Sequence, residues 1–285
     1  MTGTYDLKIL APAKINLYLY VSDRRDDGYH EISSLMLPVT LFDTVFLAKK
    51  ENGIAVSCRG RYHVPGGREN IAFKAAELFF REFGLGGGVS VSIVKRIPSG
   101  SGLGGGSSDG AAVLKGLSIL YRGGVIEEEL FPLASRLGGD VPFFIHPAPS
   151  FVSGKGEILK RVLIPFPLYM VLAKPPESMS TALAYEMLDK MGSGRKQDVH
   201  GAFTLESAAG IVGRIYNDFE EVVFPHVPGA ARWKDRLLNR GAYAALMTGS
   251  GSCVFGLFPE REVAEKVCDS LRGDEKTFLK VAENF

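Results

Sequence analysis

The strongest feature of this sequence is the stretch IPSGSGLGGGSSDGAAVL at residues 97–114. An alternating apolar pattern at residues 89–94 predicts a strand entering it, and a helical pattern from residue 111 onward predicts a helix leaving it. Five of the seven residues from 100 to 106 are glycine, so the backbone can take positive φ and approach a ligand closely. The first helical turn adds unpaired N–H donors at the positive end of the helix dipole. The stretch predicts an anion-binding loop, with a flexible surface loop that caps the helix as the alternative.

Three known motifs are the alternatives that the glycines and serines of this chain suggest. A Walker A motif needs Gly-Lys followed by Ser or Thr, but the Gly-Lys pair at residues 154–155 is followed by Gly156. Residues 100–105 match GxGxxG, the motif of dinucleotide-binding folds, in which an acidic residue about 20 positions later ends the neighbouring parallel strand. In this sequence that region instead begins a helix at Glu127, which argues against dinucleotide binding. Residues 106–110 match the GxSxG of a nucleophile elbow, but a glycine-rich loop separates the strand from the serine. A serine hydrolase is therefore a poor second interpretation.

Strand and helix patterns are mixed along the chain without strict βαβ order. Further strands are predicted at residues 15–21, 34–40, 44–48, 54–58, 169–173, 243–247, 254–258 and 278–281. Further helices are predicted from the N-cap Asn70 to just before Gly84, and at residues 181–191, 205–211, 217–223, 229–239 and 261–271, with an exposed polar loop at 191–199. This order favours an α+β fold in two lobes, divided into residues 1–152 and 153–285.

Composition and charge are those of a folded globular protein. Of the 285 residues, 46% are hydrophobic and 23% are charged, and the net charge is +1. Such a balance supplies no general field for nucleic acid or an anionic membrane surface. The longest apolar stretch, residues 162–173, contains Pro165 and Pro167 and is shorter than the roughly 20 residues that a spanning helix needs. We therefore expect neither a nucleic-acid partner nor a membrane span.

The cysteine spacing and the N-terminal residues bear on the cellular compartment of the protein. Cys58, Cys253 and Cys268 are odd in number, widely spaced and without a CxxC pair, so they predict neither a disulfide framework nor a zinc site. The N-terminal residues show no charged-then-apolar signal and no Arg/Ser-rich transit pattern. We expect reduced thiols in a cytoplasmic protein.

Five short motifs follow one another along the chain: PAKINL at residues 12–17, RRDDGYHE at 24–31, GLGGGSSD at 102–109, LGGDVPF at 137–143 and TGSG at 248–251. In this order they resemble the GHMP kinases, the superfamily of galactokinase, homoserine kinase and mevalonate kinase. PAKINL and DGYHE resemble, more narrowly, members that phosphorylate a cytidine-diphosphate-linked sugar alcohol. Gly110 and Gly139 stand where the family usually has alanine, a change that removes no functional group.

The resemblance implies a two-lobed fold, with an N-terminal lobe that binds ATP and Mg²⁺ and a C-terminal α/β lobe that binds the substrate. Asn70 and Lys95 match positions near the adenine and the phosphates, with a helix N-cap and a surface lysine as the alternatives. Ser108 is the implied protein contact of Mg²⁺. The triphosphate would lie against the glycine-rich loop, formed by Pro98, Ser99, Gly100, Ser101, Gly102, Leu103, Gly104, Gly105, Gly106, Ser107 and Ser108.

Two residues carry the implied catalysis. Asp140, at the start of the apolar run 141–145, would be the general base for the acceptor hydroxyl, and the alternative is an aspartate that caps a Gly-Gly turn. Lys14 would favour the alkoxide and keep Asp140 ionised, and the alternative is a solvated lysine at a strand start.

The base-binding residues also depend on the resemblance. Tyr29 would stack on the cytosine ring and His30 would hydrogen-bond its edge, whereas the residues alone suggest a turn and a solvated histidine. Thr181 and Tyr185 are one helical turn apart and share a face. Tyr185 would form the opposite wall of a cytosine sandwich, or lie in the helix core.

Asn16, two residues from Lys14 on the same strand face, would hydrogen-bond the acceptor end of the substrate. Gly249, Ser250 and Gly251 could form a nest against its diphosphate, or a simple hairpin turn. Two other functions stay open at this point: another GHMP small-molecule kinase, or a nucleotide-binding sensor without catalysis. The expected partner is a small molecule, and the expected state is a monomer or weak homodimer.

Overall fold

The computed structural model describes residues 5–62, 64–192, 207–273 and 276–285. Its strands are β1 (Leu7–Arg24), β2 (His30–Lys50), β3 (Gly53–Gly60), β4 (Gly88–Lys95), β5 (Ser150–Ser153), β6 (Ile158–Arg161), β7 (Tyr169–Lys174), β8 (Tyr216–Asn217), β9 (Ala244–Met247), β10 (Val254–Phe258) and β11 (Phe278–Glu283). Its helices are α1 (Ile71–Glu82), α2 (Gly105–Arg122), α3 (Glu127–Leu137), α4 (Val141–Ile145), α5 (Thr181–Met191), α6 (Ala208–Val212), α7 (Phe219–Val223), α8 (Pro228–Asn239) and α9 (Arg261–Ser270). The mixture confirms the predicted α+β class.

Residue contacts group the chain into two compact units built from interleaved segments. The first unit is Met1–Ala13, Leu41–Ser99 and Gly104–Pro147, and the second is Lys14–Thr40, Gly100–Leu103 and Ala148–Phe285. The long strands β1 and β2 contribute residues to both units. A division into lobes at residues 152 and 153 stays a prediction.

The first unit packs helices on a small sheet. β4 pairs parallel with β3 and antiparallel with the end of β2, and Val89, Val91 and Ile93 on β4 are fully buried, which confirms the strand predicted at residues 89–94. α1 packs on α2, and α2 and α3 pack on α4. Asn70 caps α1, because its side-chain oxygen accepts a hydrogen bond from the Ala72 amide at 2.9 Å.

The second unit contains a four-stranded antiparallel sheet in the order β11-β7-β10-β9. Helices α8 and α9 pack on this sheet, and the inner strands β7 and β10 are almost wholly buried. In the same unit, part of β2 pairs antiparallel with β5, β5 pairs with β6, and β8 pairs parallel with β1. The four predicted strands that became β7, β9, β10 and β11 are therefore confirmed.

Several elements differ from the sequence-based expectation. Residues 34–40 and 44–48 form one continuous strand, β2, because the intervening Asp43 is held inside the sheet by backbone and side-chain donors. The short elements α4, β5, β6 and β8 were not predicted, since segments of two to five residues carry too little periodicity. Most of the predicted polar loop at 191–199 and the start of the helix predicted at 205 lie outside the described residues.

Two simpler expectations can be compared directly with the structure. Cys58, Cys253 and Cys268 are free thiols. Among the helices in the described ranges, none is both long enough and apolar enough to cross a membrane.

Candidate functional site

The start of α2 is open to an anion. Gly104 occupies the N-cap position with φ 71° and ψ 15°, and among the described residues no side chain caps the helix. Glycine adopts this left-handed conformation without the strain that a Cβ atom would add. The helix begins at Gly105, several residues before the apolar pattern suggested, so Ser107 and Ser108 belong to its first turn. The uncapped N–H groups of this turn suit a phosphate.

Ser108 gives a direct test of whether the implied Mg²⁺ and phosphates fit this turn. Its hydroxyl is buried and has no hydrogen-bond partner among the residues that the structure describes. Leaving such a group unsatisfied costs about 1–3 kcal/mol, and a phosphate oxygen or a bound cation would satisfy it. Within the same described part of the chain, no group of three or more His, Cys, Asp or Glu side chains could hold a metal ion. The residues present therefore fit a cation held mainly by phosphates, with Ser108 as a protein contact.

Lys95 lies inside a buried cluster of three charges in the first unit. Its ammonium is 2.5 Å from Asp109 Oδ2 and also donates to Asp43 Oδ2. Asp43 Oδ1 accepts from the backbone amides of Arg96, at 2.5 Å, and Ile97, at 2.9 Å, just before the glycine-rich loop. Burial excludes the surface-lysine alternative for Lys95. Its contact with phosphates stays a prediction, and the two aspartates are site residues that the sequence analysis missed.

Two carboxylates share one ammonium in this cluster, so one negative charge is in excess. Burial raises the pKa of Asp109 to about 7, and the neighbouring Asp43 adds to the rise that Lys95 opposes. Burial works to lower the pKa of Lys95, but Asp109 and Asp43 outweigh it and raise that pKa. Asp109 Oδ1 has no hydrogen-bond partner in the described part of the chain.

The variant Asp109→Asn tests this charge excess. Because the pKa of Asp109 is about 7 when folded against 3.8 as its ordinary value, the folded state binds the extra proton, and wild-type stability falls as pH rises from about 4 to 7. Asparagine cannot ionise. We therefore expect the melting temperature of the variant, relative to wild type, to increase between pH 5 and pH 8 in thermal unfolding. A relative melting temperature that is constant or falls with pH would contradict this, and the exposed Asp235→Asn is the control.

Asp140 precedes α4 in the first unit and is partly buried. It occupies the N-cap position of α4, and within the described residues its side chain makes no capping hydrogen bond to that helix. Val141, Phe143 and Phe144 of α4 are buried and anchor the backbone that carries the carboxylate. A catalytic role for Asp140 stays a prediction.

Lys14 is buried in the second unit, with 2% of its surface exposed, which excludes a solvated lysine. Its ammonium donates to Asn16 Oδ1 at 2.7 Å, and the same oxygen accepts from the Gly249 amide at 3.0 Å and the Thr248 hydroxyl at 3.2 Å. Asn16 Nδ2 donates to the Ser34 hydroxyl at 2.8 Å. Asn16 thus holds Lys14 and residues 248–249 together, and its predicted contact with substrate stays a prediction.

Residues 100–103 lie against the hairpin loop 248–253 within the second unit. The Lys14 amide donates to the Leu103 carbonyl at 3.0 Å, and the Cys253 amide donates to the Ser101 carbonyl at 3.1 Å. Gly102 has φ +75°, and a Cβ atom there would lie 1.9 Å from the Thr248 carbonyl oxygen, so only glycine allows this approach. The loop joins the antiparallel strands β9 and β10, as the hairpin interpretation predicted.

His30 is held from both ring nitrogens in the second unit. Its Nδ1 lies 2.8 Å from the Ser22 carbonyl oxygen and its Nε2 lies 3.1 Å from Asp189 Oδ1. The Tyr185 ring stacks on the imidazole of His30 at a centroid distance of 5.0 Å. The Tyr185 ring also makes an edge-to-face contact with the Phe219 ring, at a centroid distance of 4.9 Å. The side chain of His30 is 8% exposed, which excludes a solvated histidine. Asp189 was missed, although its spacing of four residues from Tyr185 could have indicated a shared helix face.

Tyr29, Thr181, Ser250 and Asn70, which were also predicted to bind ligands, each contact other protein groups. Tyr29 is 58% exposed, and the Lys155 ammonium lies 4.2 Å from its ring centroid. The hydroxyls of Thr181 and Ser250 are 2.8 Å apart, which brings the start of α5 to the hairpin loop 248–253. Asn70 uses both ends of its amide inside the protein, because Nδ2 donates to the Pro65 carbonyl at 2.9 Å. Its nucleotide contact stays a prediction, as do the ligand contacts of Tyr29, Thr181 and Ser250.

Two family models match the chain. The GHMP kinases N terminal domain matches residues 70–147, and the GHMP kinases C terminal domain matches residues 203–275. A curated relative named 4-diphosphocytidyl-2-C-methyl-D-erythritol kinase, from Syntrophotalea carbinolica, is 40% identical over 263 residues, covering 92% of this chain and 93% of the relative. Another of the same name, from Pelobacter propionicus, is 39% identical over 278 residues, covering 97% and 98%.

Solved structures show the same similarity. A crystal structure of 4-(cytidine 5'-diphospho)-2C-methyl-D-erythritol kinase has a TM-score of 0.82 and 36% identity, covering 98% of this chain and 100% of its own. The homoserine kinase from Cytophaga hutchinsonii has a TM-score of 0.75, covering 100% of this chain and 96% of its own. At 17% identity the second likeness shows the fold alone.

Proposed function

Because the chain belongs to the GHMP kinases, and within them to the 4-diphosphocytidyl-2-C-methyl-D-erythritol kinase family, we propose that it transfers the γ-phosphoryl group of ATP to the 2-hydroxyl of 4-diphosphocytidyl-2-C-methyl-D-erythritol. This reaction belongs to the non-mevalonate route to isoprenoid precursors. The observation that carries the proposal is the buried Lys14–Asn16–Gly249 hydrogen-bond group, which joins the family-specific PAKINL motif to the second glycine loop.

ATP and Mg²⁺ are assigned to the glycine-rich loop and the start of α2. The N–H groups after Gly104 donate hydrogen bonds to phosphate oxygens, and the buried Ser108 hydroxyl, which no described residue contacts by a hydrogen bond, binds a phosphate oxygen or the cation. Mg²⁺, when bound, neutralises charge on the transferred phosphoryl group. Asp43 supports this function indirectly, since it fixes the Arg96 and Ile97 amides that lead into the loop.

Asp140 and Lys14 are assigned to the acceptor hydroxyl. Asp140 takes the proton, and its position before the buried α4 limits the movement of its backbone. Lys14 stabilises the developing alkoxide, and its burial strengthens that electrostatic effect relative to water. Asn16 orients the Lys14 ammonium, because its Oδ1 accepts the 2.7 Å hydrogen bond from Lys14 Nζ.

The cytidine diphosphate part of the substrate is assigned to the second unit. Tyr29, His30 and Tyr185 bind the base, because they supply aromatic faces and a polar edge. Thr181, Ser250 and the neighbouring Gly249 and Gly251 bind the diphosphate through hydroxyl and amide donors. We further propose a cytoplasmic enzyme that acts as a monomer or weak homodimer.

The assay of ADP release tests this function. With ATP and Mg²⁺, we expect wild-type turnover of the cytidylated substrate and none of mevalonate or homoserine. Lys14→Met keeps the volume but removes the charge, so we expect kcat to fall about 100-fold to 1,000-fold, the usual loss for one electrostatic group at the reacting oxygen.

The exposed Lys266→Met on α9 is the matched control and should keep wild-type kcat. Turnover of mevalonate or homoserine instead would favour another GHMP kinase. No ADP release with any of the three substrates would favour a nucleotide-binding sensor.

A further inference from the structure

Lys115, on α2 in the first unit, is a lysine that the proposed catalysis does not use. Its side chain is partly buried, and its Nζ donates to the Phe144 carbonyl oxygen at 2.9 Å. Burial lowers the pKa of Lys115 to about 8, and the Glu127 carboxylate works in the opposite direction. The amine is therefore protonated near neutral pH, so its hydrogen bond to Phe144 is charge-assisted.

The helix α4 is too short to fix its own orientation. Its five residues, VPFFI, form little more than one helical turn, and a helix of this length depends on contacts with the rest of the protein. The buried side chains of Phe143, Phe144 and Ile145 supply apolar contacts, which have no direction. The hydrogen bond from Lys115 does have a direction, so it defines where the end of α4 lies relative to α2.

The C-terminal end of α4 is held from two neighbouring helices. The last carbonyl groups of a helix have no partner within it, and α4 contains no basic residue of its own, so Lys115 supplies the cation from α2. At the same end, His146 Nδ1 lies 2.5 Å from Oε1 of Glu127, the first residue of α3. The side chain of His146 is 48% exposed, so water weakens this second contact. Lys115 is therefore the better shielded of the two.

The other end of α4 carries Asp140 at its N-cap, about 6 Å from Phe144 at the rise per residue of a helix. Lys115 and Ser108 lie on one face of α2, about two helical turns apart. The helix α2 thus presents the assigned phosphate contact at its first turn and holds α4 farther along. One helix therefore connects the assigned phosphate site to the assigned base.

We propose that Lys115 is a positioning residue for the phosphoryl transfer, because by holding the C-terminal end of α4 against α2 it sets the place of the Asp140 carboxylate relative to the first turn of α2. The proposal rests on the proposed function, in which Asp140 is the base. Lys115 acts through Asp140 and not on the substrate. A displacement of about 1 Å at a reacting group can lower a rate about 100-fold, so a small shift of α4 is measurable as a rate.

The test is a double-mutant cycle of Lys115→Met and Asp140→Asn, measured as single-turnover ADP release with the cytidylated substrate. Methionine has a similar length but cannot donate a hydrogen bond. We expect Lys115→Met alone to lower the rate about tenfold to 100-fold, with the KM for ATP within about twofold of wild type. In the Asp140→Asn background the same substitution should lower the rate less than about twofold, because the group through which Lys115 acts is absent.

The exposed Lys266→Met on α9 is the control and should keep the rate in both backgrounds. A loss of equal size in both backgrounds of the Lys115→Met cycle would overturn the proposal, because Lys115 would then support the fold without acting through Asp140. A rate of Lys115→Met within about twofold of wild type would overturn it as well.

Hydrogen exchange gives a readout that needs no turnover. In Lys115→Met the amides of residues 143–146 should exchange about fivefold faster or more than in wild type, whereas unchanged exchange in α1 would show that the variant is folded. Unchanged exchange at residues 143–146 would overturn the proposal even if activity fell. Absence of ADP release in wild type would overturn the proposed function, and faster exchange confined to α4 would still support the contact by which Lys115 fixes this helix.

Discussion

We expect the substitution Asp140→Asn to lower kcat about 100-fold to 10,000-fold, the range in which a positioned general base contributes. Asparagine keeps the shape of the side chain but cannot accept the hydroxyl proton. Single-turnover ADP release with the cytidylated substrate measures the loss at the chemical step, apart from product release.

Stability must be measured beside this rate. The melting temperature of Asp140→Asn shows how much of any loss in rate is structural, and Glu128→Gln, an exposed residue in the first turn of α3, should change neither quantity. If Asp140→Asn retained kcat within threefold of wild type, the assignment of the base would be wrong. If activity and melting temperature fell together, the residue would be structural.

We expect the substitution Lys95→Met to lower the free energy of unfolding by about 3–5 kcal/mol, the usual cost of leaving buried charges without their partner. Asp43 and Asp109 are both almost fully buried, and Lys95 is the ammonium that contacts each of them. Methionine fills a similar volume, so the loss reports the charge and not a cavity. Equilibrium unfolding in urea, with the slope compared between variants, gives the free energy of unfolding.

A second substitution sharpens this test. Lys95→Met combined with Asp109→Asn removes one of the two stranded charges, so part of the lost stability should return. Lys266→Met controls for replacing an exposed lysine. A loss below about 1 kcal/mol in Lys95→Met, the size of an exposed ion pair, would show that water reaches the cluster and that the buried-charge argument is wrong.

Elements with local signals could be predicted from the sequence. α1 has its cap at Asn70 and an apolar face within one segment, and β4 has strict alternation. The glycine-rich loop between β4 and α2 was recognisable because positive φ and uncapped amides both follow from glycine content. The motif order then identified the family, which the sequence relatives and solved structures confirm.

Features that depend on distant partners could not be predicted. The residues alone left a surface lysine open as the alternative for Lys95, because its partners Asp43 and Asp109 lie 52 and 14 residues away in the sequence. A solvated lysine stayed open as the alternative for Lys14 for the same reason, since alternation along β1 says nothing about a hairpin loop 232 residues later that contacts Asn16. Hydrophobic periodicity predicts which face of a helix or strand is apolar. It does not predict the partner of a buried charge, because tertiary structure brings that partner from a distant part of the sequence.

The side-chain oxygen of Asn16 couples the hydrogen bond of Lys14 to ligand binding at the Gly249 amide. It accepts from Lys14, from Thr248 and from the Gly249 amide, and donors that share one acceptor compete for its electron density. A ligand that draws the Gly249 amide toward itself leaves more of that density to the ammonium. Because such linkage is reciprocal, removing the charge of Lys14 would alter how strongly the hairpin holds that ligand.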